Sequence, residues 1–203
     1  MRVAGIPLGV GVVASGNAPT FINLTPSYAE ILEDGKLLTV KYATTGEGFA
    51  RINSAKATGK HYLELEVGAI GFNLVFGVQS AGSTNISTFW GGAGNSSDRY
   101  GYSVGTYASG HEKTNNDTFT DFGINWCSAG YCVGMAYDAD AGSVTFYTRT
   151  LKTNVLTLQG TAFTGIPSGL EPFAGFDSYG GRNAKLRIIT PMDLPYGFSE
   201  WNI

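Results

Sequence analysis

Two histidines, His61 and His111, two cysteines, Cys127 and Cys132, and two close carboxylate pairs, Glu64 with Glu66 and Asp138 with Asp140, could carry chemistry by type and spacing. A histidine acting as general base needs a partner within hydrogen-bond reach. His61 falls by parity on the same strand face as Leu63 and Leu65, at the strand's beginning, which predicts a capping or partly buried structural role. His111 stands beside Glu112 and Lys113 in a polar stretch and reads as a surface contact. No Gly-x-Ser-x-Gly elbow or reactive-cysteine signature accompanies either one. Glycoside hydrolysis needs two carboxyl groups about 5 to 10 Å apart, a spacing that Glu64 and Glu66 could meet. Nothing near them in sequence requires one to stay protonated, so a solvated polar strand face is expected. Asp138 and Asp140 lack the further acidic ligands of a calcium loop, and turn formation accounts for them.

Cys127 and Cys132, with four residues between them and no further cysteine, cannot complete a tetrahedral zinc site. A cross-strand disulfide stays open if the intervening Ser-Ala-Gly-Tyr forms a hairpin turn. The segment Gly9-Val-Gly-Val-Val-Ala14 has the letters of a dinucleotide fingerprint, but that fingerprint works only between a strand and a helix, and no helical pattern follows. The sequence therefore assigns no catalytic residue, no metal and no cofactor.

Aromatic residues among small polar ones are the better functional candidates, since they offer flat apolar surface next to hydrogen-bonding groups. The stretch from Ala81 to Asp98 surrounds Phe89 and Trp90 with Gly, Ser, Thr and Asn and is longer than most hairpin connections. A second candidate loop runs from Ser109 to Asn116, and a third from Asp177 to Asn183. The expected partner-binding set is Phe89, Trp90, Arg99, Tyr107, His111, Tyr179 and Arg182. For Trp90 the alternative is a ring folded back to cap the sandwich edge. Trp126 and Trp201 are expected to be structural.

The elements that position these residues are strands. Strict alternation in His61-Tyr-Leu-Glu-Leu-Glu-Val67 puts Leu63, Leu65 and Val67 on one face. Comparable runs are 36–43, 72–79, 100–107, 131–137, 143–148, 171–176 and 185–190, each bounded by Gly, Asn, Asp or Pro. The segment from Tyr137 to Ser143 supplies Asp and Gly for a hairpin turn. The chain has 203 residues, 43% hydrophobic, with 29 glycines and only 14% charged residues. That composition fits one antiparallel sandwich of short strands. A net charge of −3 with scattered Lys and Arg argues against nucleic acid as a partner. No apolar run approaches the roughly 20 residues that span a bilayer, which argues against membrane insertion. The opening MRVAGIPLGVGVVASG superficially suggests a signal peptide, yet Pro7 and Gly5, Gly9 and Gly11 interrupt it, and an extended arm is the better reading.

Several segments together resemble a SPRY domain over about residues 45 to 190. They are Gly59-Lys-His-Tyr-Leu-Glu-Leu-Glu-Val67, Phe76-Gly-Val-Gln79, Tyr100-Gly-Tyr-Ser103, Tyr131-Cys-Val-Gly-Met-Ala-Tyr-Asp138, Gly142-Ser-Val-Thr-Phe-Tyr147 and Glu171-Pro-Phe-Ala-Gly175, in the family's order. The most specific piece is the hairpin from Cys132 to Tyr147. The chain departs from the pattern at Arg149-Thr150, where the family usually has Asn-Gly, and at Trp126-Cys-Ser-Ala-Gly130, which lacks the usual acidic residue. The Asn-Leu-Thr-Pro near the start and the Leu194-Pro-Tyr-Gly-Phe-Ser-Glu-Trp201 at the close are similar to SPRY-type modules of bacteriophage structural proteins. The resemblance implies an all-β, antiparallel β-sandwich of SPRY type with an extended N-terminal arm: residues 1–20 as an assembly arm and 21–203 as the sandwich. It implies loops that bind partners without catalysis. The expected setting is a virion, as a tail, fibre or capsid-decoration component, with other virion proteins and further copies of the chain as partners, and a host surface glycan or protein as a further one. The alternatives are a cellular SPRY adaptor gripping a peptide and a carbohydrate-binding, lectin-like module.

Overall fold

A computed structural model describes residues 17–41, 46–69, 73–84, 97–105, 110–116, 118–177 and 183–203. Within them the chain forms fifteen strands and no helix: β1 (Phe21–Asn23), β2 (Ala29–Leu32), β3 (Leu37–Val40), β4 (Glu47–Ile52), β5 (Lys60–Ala69), β6 (Asn73–Ser80), β7 (Arg99–Gly105), β8 (His111–Asn115), β9 (Thr118–Asp121), β10 (Tyr131–Asp138), β11 (Ser143–Thr150), β12 (Thr157–Thr164), β13 (Leu170–Asp177), β14 (Lys185–Ile189) and β15 (Ser199–Glu200). They make two sheets. The first runs β1-β4-β13-β6-β7-β8-β9 and the second β12-β11-β10-β5-β14-β3-β2, with β15 added in parallel beside β5. All other pairings are antiparallel, and β6 of the first sheet packs over β10 of the second while β4 packs over β2 and β3. The expected all-β antiparallel sandwich is the observed fold.

Alternation sends one set of side chains from each sheet into the shared core. Phe76 and Tyr102 from the first sheet meet Phe146 from the second at ring-centroid distances of 6.4 and 5.2 Å, edge to face. Trp126 joins Tyr102 at 5.8 Å, and Trp201 stacks on Tyr137 at 5.8 Å while its Nε1 donates to the Ser54 carbonyl at 2.8 Å. Each such buried ring stabilises the fold by about 1.5–3 kcal/mol relative to exposure. Both tryptophans are structural, as the sequence predicts.

The hairpin between β10 and β11 also forms as expected. Asp138 accepts from the Ala141 amide at 2.9 Å, and Asp140 ties the turn to the neighbouring loop by accepting from the Gly59 amide at 3.0 Å. Gly142 has φ +60°, and a Cβ there would lie 2.4 Å from the Ile166 carbonyl oxygen, so the turn needs glycine. His61 leans on Trp201 at 5.6 Å and its Nε2 pairs with the Thr58 carbonyl at 2.8 Å, the structural role expected for it.

Two expectations are corrected and one open alternative is decided. The 109–116 stretch is not a loop throughout: His111–Asn115 is strand β8, because its backbone pairs on both sides and the polar side chains merely disguise it. Glu64 is not on a solvated face but is 1% exposed, paired with Arg149. Cys127 and Cys132 are both free thiols. Cys127 packs in the core between the sheets, whereas Cys132 is in register with Glu66 and Arg149 on the opposite side of its sheet, so the two do not face each other. The expected arm falls mostly on residues 1–16, outside the described residues. Within its described part, the Asn17 carbonyl accepts from the Ile203 amide at 3.0 Å, and the Pro19 carbonyl from Lys36 Nζ at 2.7 Å.

Candidate functional site

In a sandwich the outward sheet faces normally meet water. The outward face of the first sheet is instead built like an interior. Register places Arg51, Phe173, Gly77, Gly101 and Thr114 in one cross-strand row, with Phe49, Gly175, Val75 and Ser103 in the next and Glu171, Gln79 and Arg99 in a third. Phe49, Val75 and Phe173 form an apolar cluster of their own, separate from the core between the sheets, with Leu24 packed against it. Gly77 and Gly101 face each other beneath Phe173; a Cβ on Gly101 would come within 3.4 Å of the Phe173 ring and 2.9 Å of Val75.

Into this cluster the fold inserts a cation. Arg99, 0% exposed, has its guanidinium 5.5 Å from the Phe49 ring centroid and 5.4 Å from that of Phe173. Cation–π attraction of this kind gains strength when desolvated. Its Nε donates to Gln79 Oε1 at 3.0 Å. The Gln79 amide nitrogen in turn donates to Glu171 Oε1 and to the Ser83 carbonyl, each at 3.2 Å. Glu171 also accepts from the Gly82 amide and from Arg51 Nη1, each at 3.0 Å. The chain Arg99–Gln79–Glu171–Arg51 thus crosses strands β7, β6, β13 and β4. Burial holds the Arg99 pKa below its ordinary value, with the Asp98 carboxylate pulling the other way.

The network leaves hydrogen-bonding capacity unspent. Among the described residues, nine buried side-chain nitrogen or oxygen atoms lack a hydrogen-bond partner, and four of them lie on this face: Arg51 Nε, Arg99 Nη1, Arg99 Nη2 and Thr114 Oγ1. Buried polar atoms are nearly always paired, so a concentration of exceptions on one face calls for an explanation in function.

Arg99 belongs to this site, but not as the loop residue expected: it begins strand β7 and is fully buried, because its charge is shielded by two aromatic rings. His111 begins strand β8 opposite Val104, turned toward the interior side with Nδ1 buried, rather than presented from a loop. Phe89, Trp90, Tyr107, Tyr179 and Arg182 lie outside the described residues. Residues 85–96 link the end of β6 to the start of β7, where Arg99 stands. Residues 106–109 and 178–182 follow Gly105 and Asp177, which register places side by side through Asn73 at the other end. The sequence reading missed Phe49, Arg51, Gln79, Glu171 and Phe173. The available signal was a strand apolar at both parities with an embedded charge, as in Glu171-Pro-Phe-Ala-Gly-Phe176.

The second sheet's outward face also holds charge, largely in ion pairs, and there Arg187 Nε and the Tyr62 hydroxyl are buried without a hydrogen-bond partner. Arg149 grips Glu64 through two hydrogen bonds, and its remaining Nη1 bonds Asn154 Oδ1. Arg187 joins Glu66 at 3.4 Å and Glu33 at 2.8 Å. Burial pushes the Cys132 thiol up to about 12, so it is no nucleophile at neutral pH. Among the described residues no group of three or more His, Cys, Asp or Glu is placed to hold a metal, and no helix is long and apolar enough to cross a membrane.

No family model matches the chain, and no curated protein matches it. Solved structures do. The TRIM65 PSpry domain is similar with a TM-score of 0.61 and 16% identity over 85% of this chain and 92% of that one. The SPRY domain of human HERC1 is similar with a TM-score of 0.57 and 17% identity over 86% and 99%. Stonustoxin is similar with a TM-score of 0.58 and 17% identity over 84% of this chain, which spans only 27% of the toxin chain. At these identities the likeness is one of fold, and the fold is that of SPRY domains.

Proposed function

We propose that this protein is a non-catalytic recognition module that binds a segment of a partner protein on the outward face of its first sheet, around Arg99. The carrying observation is the unspent hydrogen-bonding capacity concentrated there: two guanidinium nitrogens of one buried arginine, set between Phe49 and Phe173. An aromatic and arginine cluster at the centre of a desolvated patch has the makeup of an interface hot spot. The paired geometry of Nη1 and Nη2 suits a carboxylate, from an acidic side chain or a chain terminus, and such charge-assisted pairs are about twice as strong as neutral ones. The guanidinium lies beneath the surface, so engagement draws on the side-chain rearrangement common at interfaces. A non-catalytic role is supported by the spending of Glu64, Glu66, Asp138 and Asp140 in structural pairs and turns.

Selection of peptides from a random display library on the immobilised chain tests this reading. The expected result is a consensus carrying an acidic residue or free carboxylate, with amide NMR shifts centred on Arg99, Gln79 and Phe173. Absence of enrichment, or shifts centred on the second sheet, would overturn it.

A virion setting is the finer proposal, with other virion proteins or further copies as the partners, a host surface glycan or protein as another, and residues 1–20 as the mounting arm. Its support is the resemblance of the segments near either end of the chain to phage modules. None of the structural neighbours named above is a virion protein. Detection of the chain in purified particles tests it, and consistent absence from them would remove it in favour of a free adaptor.

A further inference from the structure

The inward-facing rows of the first sheet change character at its last two strands. On β7 the residues facing the second sheet are Tyr100, Tyr102 and Val104, as a sandwich core requires. Their cross-strand continuations on β8 and β9 are polar: Lys113 and Thr120 follow Tyr102, and Asn115 and Thr118 follow Tyr100 in the same parity. Opposite them β12 is the terminal strand of the second sheet and contributes Phe163, whose ring meets Tyr100 at 5.4 Å. The edges of the two sheets therefore part around a cleft of about 290 Å³ lined by Lys113, Asn115, Asn116, Thr118, Thr120 and Phe163. That volume is near the ~300 Å³ at which small-molecule sites begin.

The chemistry of the cleft is specific. Among the described residues its one formal charge is the Lys113 ammonium, held in place by donation to the Ala162 carbonyl at 3.0 Å and by the Phe163 ring 5.9 Å away. An ammonium has three donors, so two remain to the cleft. Among the described residues no carboxylate lines it, because Glu112 and Asp121 pair across β8 and β9 at the alternate parity and face the other way. Asn115 spends its amide nitrogen on the Arg99 carbonyl at 2.6 Å, which leaves its side-chain oxygen as an acceptor fixed in orientation. Thr120 adds a hydroxyl able to donate or accept. One cation, a fixed acceptor, threonine hydroxyls and a half-buried aromatic ring match a ligand with one negative charge, several hydroxyls and an apolar ring edge.

We infer that this cleft is a binding site for a carboxylate-bearing sugar, with Lys113 taking the carboxylate, Asn115 and Thr120 the hydroxyls, and Phe163 the apolar ring edge. This site faces away from the Arg99 side chain and shares with that residue the backbone carbonyl that holds Asn115. The test is NMR titration of the isotope-labelled full chain with glucuronate, galacturonate and N-acetylneuraminate in turn, against glucose and inorganic phosphate as controls. Saturable shifts at Lys113, Asn115, Thr120 and Phe163 with at least one acidic sugar are expected. Glucose should bind about tenfold more weakly, the loss of one charge-assisted bond. Lys113→Arg should retain binding and Lys113→Met should lose it, while Thr120→Ala, on an exposed edge strand, should weaken it with the fold intact. Silence with all three acidic sugars, equal binding of glucose, or phosphate binding as tightly as the sugar would each overturn the inference.

Discussion

Arg149 Nε lies 2.5 Å from Glu64 Oε1 and Arg149 Nη2 lies 3.0 Å from Glu64 Oε2, a two-point ion pair in which the side chains are 4% and 1% exposed. Removing one member of a buried pair leaves the other charge unmatched, at a cost of about 3–5 kcal/mol. Glu64→Gln should therefore lower the urea midpoint sharply. Replacing both, Glu64→Leu with Arg149→Met, should restore stability to near the parent value or above it. A single variant as stable as the parent would show that the pair is not buried in solution.

Tyr62 crosses the same sheet face with its hydroxyl buried and unpartnered, over Gly134, where a Cβ would lie 1.8 Å from that oxygen. Tyr62→Phe removes a desolvated group that makes no bond and should be neutral or stabilising by up to about 1 kcal/mol. Gly134→Ala forces the ring or the strand to move and should destabilise by about 1–3 kcal/mol. Thermal denaturation of the two variants checks both signs.

Both cysteines are free and buried, and Cys132 is raised to about 12 by burial foremost, with Glu64 adding to it. Neither thiol should react with an aromatic disulfide reagent in the native protein near neutral pH. Two equivalents should react once the chain is unfolded without reductant. Failure to reach two after unfolding would reveal a disulfide.

Asp138 titrates below its ordinary 3.8: burial alone would raise it, but the Ala141 amide and the Lys60 ammonium outweigh that. A carboxyl with a lowered folded pKa contributes stability that is present above its unfolded value and disappears as pH falls through the folded one. The parent should thus lose stability relative to Asp138→Asn as pH drops below about 3.8, and the gap between them should be widest near neutrality. Parallel urea titrations across that range would show an unchanging gap if the carboxylate were unperturbed.

The architecture was largely legible because strand alternation and turn residues report local geometry directly. His61 to Val67 reads as a strand with Leu63, Leu65 and Val67 inward, and so it is. Alternation says nothing about what lies over the other face. Glu64 looked solvated because Arg149, Asn154 and Asp193, which surround it, are distant in sequence. The polar composition of β8 reads as a loop because its pairing with β7 and β9, not its composition, makes it a strand. The Arg99 site escaped for a related reason. Phe49, Gln79, Arg99 and Phe173 come from four strands, and only the cross-strand register shows that they share one face.

The most direct test of the recognition role of Arg99 compares the parent chain with Arg99→Met, measuring affinity for a library-selected acidic peptide alongside stability. Methionine keeps the contact with the Phe49 and Phe173 rings and removes a buried charge, so stability should stay within about 1 kcal/mol of the parent. Peptide affinity should fall at least about tenfold, the loss of a charge-assisted bond. Unchanged affinity, in a variant that is folded, would contradict the account and leave Arg99 a purely structural residue.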